Sequence, residues 1–158
     1  MGFEVVREYI EQNQDAREEM PLISEAHNRL VSSVSGRLHE FGVQKPYDLF
    51  REVSLGQNRE IARTDLIAIH LDDLYLIEVK APIPRYERTG RELRSIKQIA
   101  NNQLSRGYDF FKSTFGVLPI RIYIIKNGSG LLHHKFPPLI EDILDQLGKQ
   151  EEKQEVFS

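Results

Sequence analysis

The chain contains no cysteine, which excludes disulfides, thiol catalysis and cysteine-ligated zinc or iron–sulfur clusters. Nowhere does it hold an apolar run of about eighteen residues, the least that would suggest a membrane-spanning helix. Internal repeats are absent, as are a linker long enough to divide it in two and a helix-turn-helix pattern for reading base sequence. Its opening residues, MGFEVVREYIEQNQDAREE, lack a basic stretch followed by an apolar core, so no secretory signal and a cytoplasmic address are expected. What is present is 158 residues, 40% hydrophobic and 28% charged, a size and balance that suit one domain around one core.

Residues 1–20 are polar apart from Val5, Val6, Tyr9 and Ile10 and are expected to form a short helix or an N-terminal arm. Pro21 suits a helix first turn, and Ile23, Ala26, His27, Leu30, Val34, Leu38 and Phe41 recur at helical spacing up to Gly42. Residues 48–55 read as a strand stopped by Gly56-Gln57-Asn58. Two apolar strands follow, over 65–69 and 74–80, joined by a tight turn at Leu71-Asp72-Asp73. After the extended Ala81-Pro82-Ile83-Pro84, a long helix from Glu87 or Gly90 to Phe115 carries Leu93, Ile96, Ala100, Leu104, Tyr108 and Phe111 on one side. Residues 118–126 form a β-rich run closed by Asn127-Gly128-Ser129-Gly130, and a last helix spans about 139–147. A strand, a helix and a strand in that order imply a right-handed crossover, which makes 118–126 parallel to the strand of Glu78. The expected fold class is α/β of the α+β kind, a central mixed sheet flanked by helices over residues 21–148, with a mobile polar tail at 149–158.

Charge interrupts the hairpin where a plain sheet would have none. Asp65 opens its first strand, and Glu78 and Lys80 close its second. Alternation puts Glu78 and Lys80 on the face of Leu74 and Leu76, and folding the hairpin back at its turn brings Asp65 beside them. Buried ionised groups are costly unless paired or bound to metal. Two carboxylates suit a hard divalent ion, Mg²⁺ or Mn²⁺, and such an ion with a neighbouring ammonium suits phosphodiester hydrolysis. Asp65 and Glu78 are therefore the candidate metal ligands and Lys80 the catalytic cation. The plainer alternative is a salt bridge at a hairpin end, because Glu-x-Lys is common.

These residues resemble the PD-(D/E)XK nuclease superfamily, whose signature is an acid on one strand and (D/E)-x-K on the next. Asp65 matches the first acid, with Thr64 in place of the preceding proline, and Glu78-Val79-Lys80 matches the second half. The resemblance covers about residues 20–126. It implies a restriction-endonuclease-like αβββαβ core, which the expected element order supplies, and it implies DNA as the substrate. It also implies a supporting glutamine on the long helix, for which Gln103 is the counterpart and Gln98 faces the other way. A first-helix acid serves some members as an extra ligand. Glu25 is the counterpart here, but a helical projection turns it away from Leu30, Val34 and Phe41.

Other residues are read on their own terms. Glu87, between Arg85 and Arg88 in the loop leaving Lys80, can complete a second metal site, activate water or balance the arginines. Glu52, in the middle of its strand, is a further candidate ligand that the neighbouring strand would bring near Asp65. His27 lies on the apolar side of its helix, where a core histidine is the expectation, and His133-His134 reads as a surface pair.

The net charge is −3, yet residues 80–126 hold ten basic and three acidic side chains, a local charge of +7. Such asymmetry gives one face a field that attracts phosphates, and Arg85, Arg88, Arg91 and Arg94 are the candidate nucleic-acid contacts. The functional expectation is a Mg-dependent, stand-alone deoxyribonuclease. A homodimer fits such an enzyme, because cutting both strands of a duplex takes two sites or two events. The rival expectations are a non-catalytic nucleic-acid binder with a nuclease-like core, and a protein-interaction module in which the charged trio is structural.

Overall fold

A computed structural model describes residues 2–15, 25–82 and 89–157, the last six of these by their backbone alone. The elements are α1 (Phe3–Gln12), α2 (Glu25–Ser35), a short 3-10 helix (Leu38–Phe41), β1 (Asp48–Leu55), β2 (Ala62–His70) and β3 (Asp73–Lys80). They continue with α3 (Gly90–Phe115), β4 (Ile120–Asn127), β5 (Gly130–Phe136) and α4 (Ile140–Phe157). The architecture is α+β, with one mixed sheet in the order β1-β2-β3-β4-β5. Every neighbouring pair is antiparallel except β3 and β4, which the α3 crossover makes parallel, as expected from the strand–helix–strand order.

Helices cover both faces of the sheet. On one face α1 and α3 bury Val6, Ile10, Leu104 and Phe111 against Ile67, Ile69, Leu74 and Leu76. On the other, α2 and the 3-10 helix bury Val31, Val34 and Leu38 against Leu66, Ala68, Tyr75 and Ile77. Burial on both sides is why the hairpin strands are apolar at consecutive positions rather than at alternate ones. Burying each of these aliphatic side chains contributes roughly 1.5–3 kcal/mol before conformational entropy is counted.

Local chemistry explains most boundaries. Thr89 and Glu92 close a capping box at the start of α3, and Gly116, in the left-handed region, ends the helix. Two expectations need correction, and one element was not expected. The helix expected to run to Gly42 breaks after Ser35 and resumes as the 3-10 turn, because Gly36 weakens the helix and the Tyr47 hydroxyl binds both Ser35 O and Leu38 N there. The stretch after Gly130 is a fifth strand paired with β4, the two joined by the two-residue turn Gly128-Ser129 with Gly128 at positive φ, a hairpin signal. The last helix does not stop near Leu147 but continues to Phe157, since Lys, Gln and Glu favour helix after Gly148. The buried Asp142 ties α4 to α3, accepting from the Tyr108 hydroxyl at 2.6 Å and from Lys112 at 2.6 Å.

The turn after β1 is held rigidly. Gly56 has φ +149, and a methyl group built on it would lie 1.8 Å from the Arg59 carbonyl oxygen. Tyr9 clamps the same glycine, accepting from its N–H at 3.0 Å and donating to its carbonyl at 3.0 Å. Gly56→Ala is expected to destabilise the protein by roughly 3 kcal/mol through backbone strain and overpacking, read from urea melts. A melt that matches the native protein would contradict this packing.

Candidate active site

The sheet changes character at one row of residues. In β1, Phe50 faces α3, and so do Val53 and Leu55, so the alternation reverses between them. The reversal falls at Glu52, whose φ is +50. In β2, Ile67 and Ile69 face α3 while Thr64 also lies against Gly107 of α3, so the alternation reverses again around Asp65. The pairs Arg51–Leu66 and Val53–Thr64 flank Glu52 and Asp65 and so set them across from each other. On the other side the β2–β3 ladder runs as far as Leu66–Ile77. One step beyond, where Asp65 would meet Glu78, the Asp65 side chain takes over from the ladder: its Oδ2 accepts the Val79 N–H at 2.8 Å. Three carboxylates therefore stand side by side across three strands.

His27 of α2 completes the group. Its Nε2 lies 3.4 Å from Asp65 Oδ2, and donor atoms of His27, Glu52 and Asp65 lie within 4.8 Å of one another. Glu78 and Asp65 are close enough to shift each other's titration, and Lys80 is close enough to act electrostatically on both Glu78 and His27. Glu78 is 2% exposed, Glu52 is 7% exposed, and Lys80 is half-buried at the rim.

Burial and mutual repulsion set the protonation states. Burial first, then the charge of Asp65, raises Glu52 to about 7. Burial, together with the charge and hydrogen bond of Asp65, pushes Glu78 well above the usual carboxylate range. Burial also opposes ionisation of Asp65, but the His27 hydrogen bond and charge and the Val79 N–H outweigh it and hold this carboxyl low. His27 is pushed down by burial but raised on balance by Asp65 and Glu52. In the absence of a cation, Asp65 is thus the ionised member and Glu78 the protonated one, as expected for two acids that share a site.

The donor set fits a hard divalent cation. Glu78 Oε1, Glu52 Oε2 and Gln103 Oε1 are buried, and none makes a hydrogen bond among the described residues. Arg63 approaches Glu52 Oε2 only to 4.0 Å. Buried acceptors without donors are uncommon in folded proteins, and a cation with its waters would satisfy them. Gln103 belongs to the same level of the structure. α3 returns antiparallel to β3, with Gly107 against Leu76. One helical turn back, ~6 Å, leads to Gln103, and two strand residues on, ~7 Å, lead to Glu78.

Of the residues expected from the sequence, Asp65, Glu78 and Lys80 come together, with Gln103 at their level and Glu52 beside them. Glu25 points to solvent, 79% exposed, and pairs with Arg29. Arg91 and Arg94 are exposed on the first turn and a half of α3, whereas Arg85, Glu87 and Arg88 lie outside the described residues. His27 was expected to be an ordinary core histidine, and it is instead the partner of Asp65. The signal was its place on the apolar stripe three residues before Leu30, which aims it at the sheet. His133 and His134 are exposed on β5, as expected for a surface pair.

No family model, no curated protein and no solved structure matches this chain. No helix among the described residues is long and apolar enough to cross a membrane.

Proposed function

We propose that the chain is a metal-dependent nuclease that hydrolyses DNA phosphodiester bonds, with a restriction-endonuclease-like core running from α2 through β1, β2, β3 and α3 to β4. The observation that carries this reading is the row Glu52–Asp65–Glu78 at the point where the strands part, with Lys80 beside it. A merely structural salt bridge would use one acid and one base. Here three acids are crowded together, and without a cation Glu78 is held well above the usual carboxylate range while Glu52 is raised to about 7.

Asp65 and Glu78 would hold Mg²⁺ or Mn²⁺, with Glu52 and His27 within reach of the same position. When bound, such an ion supplies positive charge against the phosphate oxygens and makes water more acidic. The remaining roles fall to the chain. Lys80, on the same side of β3 as Glu78, orients the attacking water and stabilises the charge that builds on the phosphate. Gln103 supports Lys80 or the substrate from α3. Arg91 and Arg94 on α3 would offer contacts to the phosphates, as would Arg85 and Arg88, and Glu87 would be a further acid for water or metal, these last three lying outside the described residues. The imidazole of His27 favours Mn²⁺ over Mg²⁺ relative to an all-oxygen site.

The test is incubation of linear, supercoiled and branched DNA with Mg²⁺, Mn²⁺ or a chelator. Cleavage of at least one substrate is expected with either ion, and none with chelator. An inert protein under every metal condition would overturn the enzyme reading, and DNA retardation without cleavage would favour the non-catalytic binder instead.

A further inference from the structure

Between the β1–β2 turn and the C-terminal half of α3 lies a cleft of about 680 Å³. Arg59 and Asn58 line one wall, Arg106 and Asp109 the other, and Ile61 and Phe110 are apolar lining residues between them. None of the described residues assigned above to metal binding or catalysis is part of it.

Both arginines are exposed, and neither makes a salt bridge among the described residues. That distinguishes them from Arg7, Arg29, Arg37 and Arg63, each of which is paired with a carboxylate. Two unpaired guanidiniums across a cleft form a site for a phosphate, with Asp109 offsetting only part of their charge. Ile61 is 52% exposed, an apolar surface left to water unless a ligand covers it. Cationic walls with an apolar patch between them match a nucleic-acid strand, whose backbone is anionic and whose sugars and bases are largely apolar.

Position joins this cleft to the acids. Ile61 immediately precedes β2, and Asp65 lies four residues further on, about 13 Å along the strand. Arg106 neighbours Gly107, and a methyl group built on Gly107 would sit 3.6 Å from the Thr64 hydroxyl, next to Asp65. The clamp of Tyr9 on Gly56 holds the turn in place, so this wall is formed before any ligand arrives.

We infer that this cleft binds the single strand flanking the cut, with a backbone phosphate held between Arg59 and Arg106. The choice of ligand rests on the nuclease reading, but the binding is measurable without catalysis. The experiment is fluorescence anisotropy of a fluorescein-labelled single-stranded DNA oligonucleotide in chelator, over a series of salt concentrations. The double variant Arg59→Ala/Arg106→Ala is expected to bind about tenfold more weakly, and the slope of log affinity against log salt should fall by about 0.7, the share of the one phosphate that the two arginines hold on a single strand. Arg7→Ala, which removes a paired arginine far from the cleft, should bind as the native protein does. Native affinity and slope in the double variant would overturn the inference, as would a native protein that does not bind the oligonucleotide. Binding that is lost in the double variant, from a protein that cuts no DNA with any metal, would leave the cleft standing and remove the nuclease reading.

Discussion

Asp65→Asn and Glu78→Gln are each expected to lower the rate of metal-dependent DNA cleavage by about 10³-fold, equivalent to about 4 kcal/mol of transition-state stabilisation. The amide variants are chosen over alanine because of the backbone. Asp65 Oδ2 accepts the Val79 N–H at 2.8 Å, and an amide oxygen can still do so, whereas alanine would orphan a buried donor. Charge is then the main quantity removed. The Asp65 anion also pairs with His27 and is held low by the fold, so at pH 8 in chelator Asp65→Asn is expected to melt lower than the native protein, and its circular dichroism at the assay temperature checks that it stays folded. Lys80→Ala separates the roles. It should lose cleavage to a similar degree but keep the rise in melting temperature that Mn²⁺ gives the native protein, a rise that Asp65→Asn should abolish. Full activity in both amide variants would sink the ligand assignment, and loss of the Mn²⁺ effect in Lys80→Ala would make the lysine a structural partner of the acids.

How much of this was legible in the sequence depended on whether local rules decided the feature. The hairpin and its register followed from alternation and from the turn at Leu71-Asp72, so the meeting of Asp65 and Glu78 was foreseeable. The end of α3 followed from Gly116, whereas its start, expected at Glu87 or Gly90, is fixed by the Thr89–Glu92 capping box. β5 was obscured by its own composition: Leu131 and Leu132 are followed by His133, His134 and Lys135 on an exposed edge strand, which has little apolar alternation to read. Two features of the site lie beyond local rules. Glutamate rarely takes a positive φ, so nothing in the letters marks Glu52 as the place where β1 reverses its faces. The meeting of His27 with Asp65 depends on where α2 crosses the sheet, a matter of packing between distant segments. The same limit applies to the cleft, which joins a turn and a helix about fifty residues apart in sequence.

Kept free of divalent ions, the protein is expected to lose stability as pH rises from 5 to 8. The sign follows from which state holds protons. Glu52 and Glu78 ordinarily titrate near 4.5, and the fold raises the first to about 7 and the second well above its usual range. Between those values the unfolded chain has released protons that the folded chain keeps, so stability is fully present below about pH 4.5 and is lost as pH climbs through the folded values. His27 acts in the same direction: raised above 6.5, it contributes below that pH and loses its contribution above. Asp65, held below 3.8, has the opposite sign, but its effect is confined to stronger acid and is flat across this window. For Glu52 alone the shift from 4.5 to about 7 corresponds to roughly 3 kcal/mol, or about 6–12 °C in melting temperature for a domain of this size. Glu52→Gln and Glu78→Gln should each flatten the profile, because a neutral amide has no proton to lose. Mg²⁺ or Mn²⁺ should raise the melting temperature more at pH 8 than at pH 5, since at the lower pH the ion must displace protons from its own ligands. A chelated protein whose melting temperature stays level or rises over this range would show that the carboxylates do not crowd one another, and the row across β1, β2 and β3 would lose its claim to be a cation site.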